Sequence, residues 1–238
     1  MILLALDTCD ARGSVAVLRD EMALQVAEHA TAEEYSSWLL PTVEGVLKAA
    51  GLRMAEVEVY AVATGPGSFT GLRVGLTTVK AWNEVYGRPI AAVSRLEALA
   101  AQVTDDAVYV AAIVDAHREQ IFGALYRRDG GRLERVEEEA VIAQEKFVQW
   151  VAERVGRERV AWVTPDADRL TQAAGWPVRQ KAGDKVERVQ AVLAPAIGRV
   201  GYQMALENRL TDALSLDANY VRRPDAEIFW KSGASHAR

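Results

Sequence analysis

The chain has 238 residues, half of them hydrophobic, and a formal net charge of −5 from 28 lysines and arginines against 33 acids. That composition excludes a disordered or collagen-like chain. The acidic balance argues against a broad grip on nucleic acid, which needs concentrated Lys and Arg. The length allows one large domain or two small ones at about 150 residues each. Cys9 is the single cysteine, which rules out an internal disulfide and a cysteine-cluster zinc site. No apolar run approaches the ~18 residues of a membrane span. The opening MILLALDTCD has no basic stretch and reaches an acid at Asp7, unlike a secretion signal. A cytoplasmic protein without a membrane partner is expected.

In chain order, residues 2–6 are continuously apolar and end at Asp7, as a buried central strand does. Short strand-like pieces follow at 14–18 and 23–27, broken by Gly13 and Asp20-Glu21. Thr31 and Glu34 have capping-box spacing ahead of an apolar helical stripe that Gly51 stops. Pro41 lies inside that helix and predicts a kink or a restart, because proline frees the carbonyl of Ser37. Then come a strand at 57–64, a glycine-rich loop, a helix at 70–86, a strand at 89–94 and a third helix. The order is βββαβαβα.

The second half repeats it. An apolar run at 108–114 ends at Asp115, and strands at 121–127 and 133–141 flank the Asp129-Gly130-Gly131 turn. A helix at 145–155, a strand at 159–164, a helix at 166–174, a strand at 177–181 and a closing helix at 195–208 complete the series. A duplicated βββαβαβα unit is the pattern of the actin-like ATPase (ribonuclease-H-like) superfold, an inference about fold and not about function. The expected organisation is an N-terminal lobe over 1–104, a C-terminal lobe over 105–223 whose closing helix is free to pack back on the first, and a loose polar tail over 224–238.

The most distinctive stretch is Gly65-Pro66-Gly67-Ser68-Phe69-Thr70-Gly71-Leu72-Arg73-Val74-Gly75-Leu76. Between a strand and a helix, its free amides and the positive helix end suit an anion. The alternative is that the glycines make a tight turn and that Gly75 lets the helix approach the sheet. Neither a Walker loop, a dinucleotide fingerprint nor a nucleophile elbow is spelled here.

This run, with Asp7-Thr8, Asp115-Ala116 and Asn219-Tyr220-Val221-Arg222, resembles the TsaB (YeaZ) family of tRNA threonylcarbamoyladenosine biosynthesis. The resemblance covers most of residues 1–223. It implies an actin-like fold, silent alone, that pairs through its first lobe with the catalytic paralogue TsaD and is joined by the ATPase TsaE. The complex transfers threonylcarbamoyl from threonylcarbamoyl-adenylate to the adenosine flanking the anticodon of ANN-decoding tRNAs. The chain is then expected to meet tRNA only through the complex, and to form a homodimer when its partner is missing.

Departures from active members fit that silence. The catalytic paralogue carries two metal-binding histidines at i and i+4 where Arg95 and Leu99 stand here, so neither catalytic nor metal-ligating residues are expected. His29, His117 and His236 are scattered. The turns after Asp7 and Asp115, and Thr164-Pro165-Asp166, lack the glycines that close phosphate or purine contact needs. No cofactor is expected in the isolated chain, with ATP or ADP and Mg²⁺ left open at the complex interface. The candidate anion site there is Gly65, Gly67, Ser68, Phe69, Thr70, Gly71 and Arg73, with the strand-end acids Asp7 and Asp115 as magnesium ligands or as turn caps.

Tyr35 replaces a family histidine, His117-Arg118 stands where one arginine is usual, and Ala218 replaces a proline. Trp38, Leu39, Leu40, Val43, Val46 and Leu47 span over half of the first helix. The helix is either sandwiched within its own chain or part of a partner interface, with Leu39 and Val43 the positions where glutamate should break pairing. A stand-alone ATPase or kinase using Asp7 or Asp115 with Mg²⁺ is the second reading. A hydrolase using Ser68 or Cys9 ranks last, since Ser68 suits a helix cap and Cys9 has no evident base.

Overall fold

The computed structural model describes residues 1–29, 34–130 and 132–221. Thr31, Gly131, Arg222, His236 and the tail over 224–238 lie outside the described residues. Two mixed sheets form the frame. The first holds β1 (Ile2–Asp7), β2 (Ser14–Arg19), β3 (Met22–Glu28), β4 (Val59–Ala63) and β5 (Ile90–Val93) in the order β3-β2-β1-β4-β5. The second holds β6 (Tyr109–Asp115), β7 (Gln120–Asp129), β8 (Arg132–Arg135), β9 (Ala140–Ala143), β10 (Val160–Thr164) and β11 (Lys185–Arg188). It runs β11-β10-β6-β7-β8, with β9 also paired to β7. In each sheet the first strand pairs antiparallel with the second and parallel with the strand after the first long helix. Asp7 and Asp115 therefore end topologically equivalent strands.

Helix α1 (Tyr35–Ala49) runs unbroken through Pro41. Ser37 and Pro41 both face solvent, so water can satisfy the freed carbonyl while the apolar stripe stays packed. Glu34 is itself the N-cap and makes no side-chain capping bond. Helix α2 (Phe69–Tyr86) starts at Ser68 and stops at Gly87, whose φ of 64° is the left-handed closure glycine tolerates. Helix α3 (Arg95–Ala100) is capped by Ser94, whose Oγ accepts from the amides of Leu96 and Glu97 at 3.1 and 3.3 Å.

In the second half, the strand expected over 133–141 is split into β8 and β9 by the turn over 136–139. There Glu139 turns inward to accept from Ser94 Oγ at 2.5 Å and from Asn219 Nδ2 at 2.6 Å. Helices α4 (Gln144–Val155) and α5 (Ala167–Thr171) follow. The strand expected at 177–181 is instead helix α6 (Trp176–Lys181), because Pro177 sits in a first helical turn, where its missing N–H costs nothing. The strand comes later, as β11.

Alternation separates two cores. Ala111, Ile113, Ile121, Leu125 and Trp162 face α4 to α6, while Val110, Ala112, Val114, Phe122 and Ala124 join the core of the first sheet. The closing helix α7 (Ala194–Leu206) packs across β1, β2, β4 and β5 of the first sheet. Gly198 and Gly201 permit this close approach, because Cβ atoms there would press into Leu18 and into Ala61 and Ala91. Ser14 Oγ accepts from the Ala194 amide at 3.0 Å and fixes the start of the helix. Among the described residues no helix is long and apolar enough to cross a membrane.

The second sheet has its own buried polar tie. Asp184 accepts from Trp162 Nε1 at 2.7 Å, from the Val160 amide at 3.0 Å and from Arg179 at 2.7 and 2.9 Å. Replacing Asp184 by alanine strands the Arg179 charge inside the protein, which costs about 3–5 kcal/mol. The expected result is a Tm lowered by roughly 10 °C in thermal unfolding followed by tryptophan fluorescence.

Candidate functional site

The glycine-rich loop, the β1–β2 turn, the β6–β7 turn and residues 219–221 surround a cleft of about 430 Å³ between the sheets. Asp10, Gly67, Phe69, Arg95, His117 and Tyr220 are among its lining residues. Its floor is set by one buried side chain. Arg95, only 3% exposed, donates from Nε to Asp7 Oδ2 at 3.2 Å, from Nη2 to Asp10 Oδ2 at 2.5 Å and from Nη1 to the Pro66 carbonyl at 3.2 Å. The remaining oxygen of Asp7 accepts from the Cys9 amide at 2.8 Å. Burial pushes the Asp10 carboxyl up, but the Arg95 guanidinium and the Arg12 amide outweigh it and hold it below the usual carboxylate range. Burial pulls the Arg95 guanidinium down, and Asp7 and Asp10 raise it further than burial lowers it.

The glycines of the loop are used by the chain itself. A Cβ on Gly67 would overlap the Cys9 carbonyl, one on Gly71 the Thr8 carbonyl, and one on Gly75 would come within 2.5 Å of Thr8 Oγ1. Ser68 donates its amide to the Cys9 carbonyl at 2.6 Å, and its Oγ accepts from Gly71 N at 3.3 Å. Thr8 Oγ1 donates to the Gly71 carbonyl at 2.7 Å. The first turn of α2 is thus stitched to the β1–β2 turn, where a phosphate cradle needs open space. Gly65, at φ 112°, is backed by the Asn219 carbonyl, and Asn219 donates its amide to Thr64 O at 2.7 Å.

At the rim, Phe69 and Tyr220 are 37% and 41% exposed and lie 5.2 Å apart between ring centroids. The Arg73 guanidinium stacks 3.9 Å over Phe69, a cation–π contact. Thr70, next along α2, is exposed. Tyr35 accepts from the Gly13 amide at 2.9 Å, donates to the Asp10 carbonyl, and stacks on His29 at 4.1 Å. The residue that departs from the family pattern therefore pins the β1–β2 turn to the start of α1.

Asp115 is also occupied. It pairs with Arg169 of α5, a partner the sequence did not mark, and accepts from the His117 amide at 2.9 Å. Burial raises its carboxyl, and the His117 amide and Arg169 more than offset that, leaving it low. His117, Arg118 and Glu119 stand in succession at φ 60°, 53° and 61°. A left-handed run of non-glycine residues is strained.

These residues do not fit a magnesium nucleotide. Asp7 and Asp10 are paired with Arg95 and Asp115 with Arg169, so the acids that would ligate magnesium already have cations of their own. Among the described residues no group of three or more His, Cys, Asp or Glu is placed to hold a metal. Neither of the two nucleophiles marked in the sequence is activated here. Burial, and then Asp7, push the Cys9 thiol well up, and Ser68 serves as the α2 cap. Of the apolar arc on α1, only Leu40 is prominent at the surface, at 57% exposed. Trp38, Leu39, Val43, Val46 and Leu47 are buried within the chain, so glutamate at Leu39 or Val43 would put a carboxylate into the core.

Two outcomes follow from this geometry. Glu119→Gly should stabilise the protein by about 1 kcal/mol, read as a Tm rise of roughly 2–4 °C, because glycine adopts positive φ freely. Cys9 should resist a thiol-disulfide reagent in the native protein at pH 8 and react fully once unfolded. Rapid labelling of native protein would contradict the burial.

Comparison with known proteins agrees with the fold. The family model described as "TsaD: tRNA N6-adenosine threonylcarbamoyltransferase" matches residues 26–161, more than half of the chain. The tRNA threonylcarbamoyladenosine biosynthesis protein TsaB of Bacillus subtilis (strain 168) is 35% identical over 138 residues, which cover 57% of this chain and 59% of that protein. The TsaB protein of Escherichia coli (strain K12) is 28% identical over 236 residues, 97% of each chain. The structure of YeaZ from Pseudomonas aeruginosa superposes with a TM-score of 0.73 at 25% identity, covering 92% of this chain and 99% of that one. A ROK hexokinase from Thermus thermophilus, at 13% identity and a TM-score of 0.53 over 87% of this chain and all of its own, shares the fold alone. The duplicated sheets, the GPGSFTG loop and these matches place the chain in the TsaD family, and within it in the TsaB (YeaZ) branch.

Proposed function

We propose that this chain is a non-catalytic assembly subunit of the bacterial complex that makes threonylcarbamoyladenosine in tRNA. Its catalytic partner is TsaD, and the ATPase TsaE completes the complex. The complex moves threonylcarbamoyl from threonylcarbamoyl-adenylate to the adenosine flanking the anticodon of ANN-decoding tRNAs. The observation that carries this reading is that the cleft's acids and glycines are already engaged by the chain itself. Arg95 saturates Asp7 and Asp10, Arg169 holds Asp115, and the loop glycines are filled by the β1–β2 turn. A chain built this way keeps the fold of a catalytic relative while its strand-end acids are spent on internal ion pairs, and its contribution is a surface.

That surface is the groove between α1 and α2, about 740 Å³, bordered by Leu40, Leu47, Leu52, Met54, Trp82 and Tyr86. Leu40 and Tyr86 are large apolar side chains left open to solvent along it. A family shared with TsaD implies that the paralogue carries the corresponding helices, so the two can pair about a pseudo-twofold axis. A second copy of this chain would use the same face when the paralogue is missing. The −5 charge leaves the grip on tRNA to the partners.

Leu40→Glu should weaken binding to TsaD at least tenfold, by burying an unpaired carboxylate, while leaving Tm within about 1–2 °C of the parent, since the position is exposed. Isothermal calorimetry of purified subunits measures the first and scanning fluorimetry the second. Tight TsaD binding by the variant, or ATP turnover by the isolated parent chain, would count against the reading.

A further inference from the structure

Two carboxylates, one fully buried and one partly exposed, converge below the cleft. Asp7 is fully buried, and the Asp10 side chain is 29% exposed. Left alone they would repel each other and lose their hydration, and such a pair ordinarily needs a cation. The guanidinium of Arg95 lies between them, with a third donor on the Pro66 carbonyl. The Arg95 backbone amide also donates to the Gly65 carbonyl at 2.8 Å. Two of these acceptors lead on to helices. Asp10 holds Tyr35 through its carbonyl, and Tyr35 is the first residue of α1. Pro66 and Gly67 lead into Ser68, the cap of α2, whose amide is tied to Cys9.

We propose that Arg95 is the resident cation of the cleft and a positioning residue for the docking face: its three-way fork sets the starts of α1 and α2 relative to one another, and through them the placement of the two helices that border the groove. The planar guanidinium suits this role because it presents several donors in one rigid fork, which a lysine ammonium does not. The inference rests on the proposed assembly role only for the identity of the partner. The placement of the cation stands on the contacts within this chain.

Two measurements separate these parts. In the first, the full-length parent, Arg95→Ala and Arg95→Lys are melted with and without low-millimolar methylguanidinium or Mn²⁺. Arg95→Ala should melt roughly 10 °C below the parent, as expected for a buried carboxylate pair without its cation. It should regain part of that loss with either added cation, and the parent should respond to neither. An alanine variant as stable as the parent, or a parent stabilised by Mn²⁺ through Asp10, would overturn the proposal. If the alanine variant does not fold, Arg95→Lys decides by hydrogen exchange. The amides of residues 65–72 should exchange at least about tenfold faster than in the parent while those of β10 do not change, and parent-like exchange throughout would overturn the proposal.

In the second, the reconstituted threonylcarbamoyl transfer reaction is titrated with each chain. Arg95→Lys should raise the concentration giving half-maximal activation several-fold and leave the maximal rate unchanged, as a misplaced docking face requires. An unchanged half-saturation point would refute the positioning role. If the parent chain itself neither binds nor activates TsaD, the assembly role fails, and the cation measurements still judge Arg95.

Discussion

A buried charge must be answered within hydrogen-bond distance, and in this protein one answer governs several elements. Arg95 reaches from the first residue of α3 to the end of β1, the β1–β2 turn and the glycine loop. Because the guanidinium is flat and its donors are fixed, those parts cannot shift separately without leaving a charge or a carbonyl unmet. The cap of α3 is in turn held by Glu139 from the second half and, through Glu139, by Asn219 near the end of the described chain. Burial pushes the Glu139 carboxyl up further than its bonds from Ser94 and Asn219 and the nearby Arg135 pull it down. Three distant stretches of sequence therefore meet around two neighbouring polar positions, Ser94 and Arg95.

The glycine loop shows how a motif can keep its letters and change its use. A run such as Gly65–Gly75 suggests open backbone amides waiting for an anion. Here the missing side chains are the space into which Thr8 and Cys9 press. The same hydrogens that would admit a phosphate admit a neighbouring turn, and only the three-dimensional arrangement distinguishes the two.

Much of the architecture was legible in the chain. Apolar runs ending at Asp7 and Asp115 gave the two central strands, and the repeated element order gave the duplicated sheets. The errors lie where a local signal competes with a tertiary one. Pro41 promised a break, yet the solvent-facing carbonyl of Ser37 made the proline tolerable. Residues 177–181 looked like a strand, but Pro177 opens a helix and Arg179 turns in toward Asp184. The apolar arc of α1 was readable as an arc, while the share of it taken by the sheet was not. Arg95 itself was visible only as a lost ligand position. The signal that could have found its role is a single cation in the short run Arg95-Leu96-Glu97-Ala98-Leu99-Ala100, which is apolar apart from Glu97 and directly follows a buried strand. Arg169 left no such trace, because its meeting with Asp115 depends on how α5 is placed.

The last described helix has a consequence for how the molecule is made. α7 ends at Leu206, yet it lies across the sheet formed by the first ninety-odd residues. During synthesis at about 5–20 residues per second, that sheet waits several seconds with one apolar face uncovered, since its covering helix has not yet been translated. Contacts so distant in sequence slow folding and lengthen the exposure of sticky surface. The two halves are consequently not interchangeable modules on the ribosome. The second can bury Trp162 and its neighbours under α4 to α6 from its own residues, whereas the first is finished only by the end of the chain.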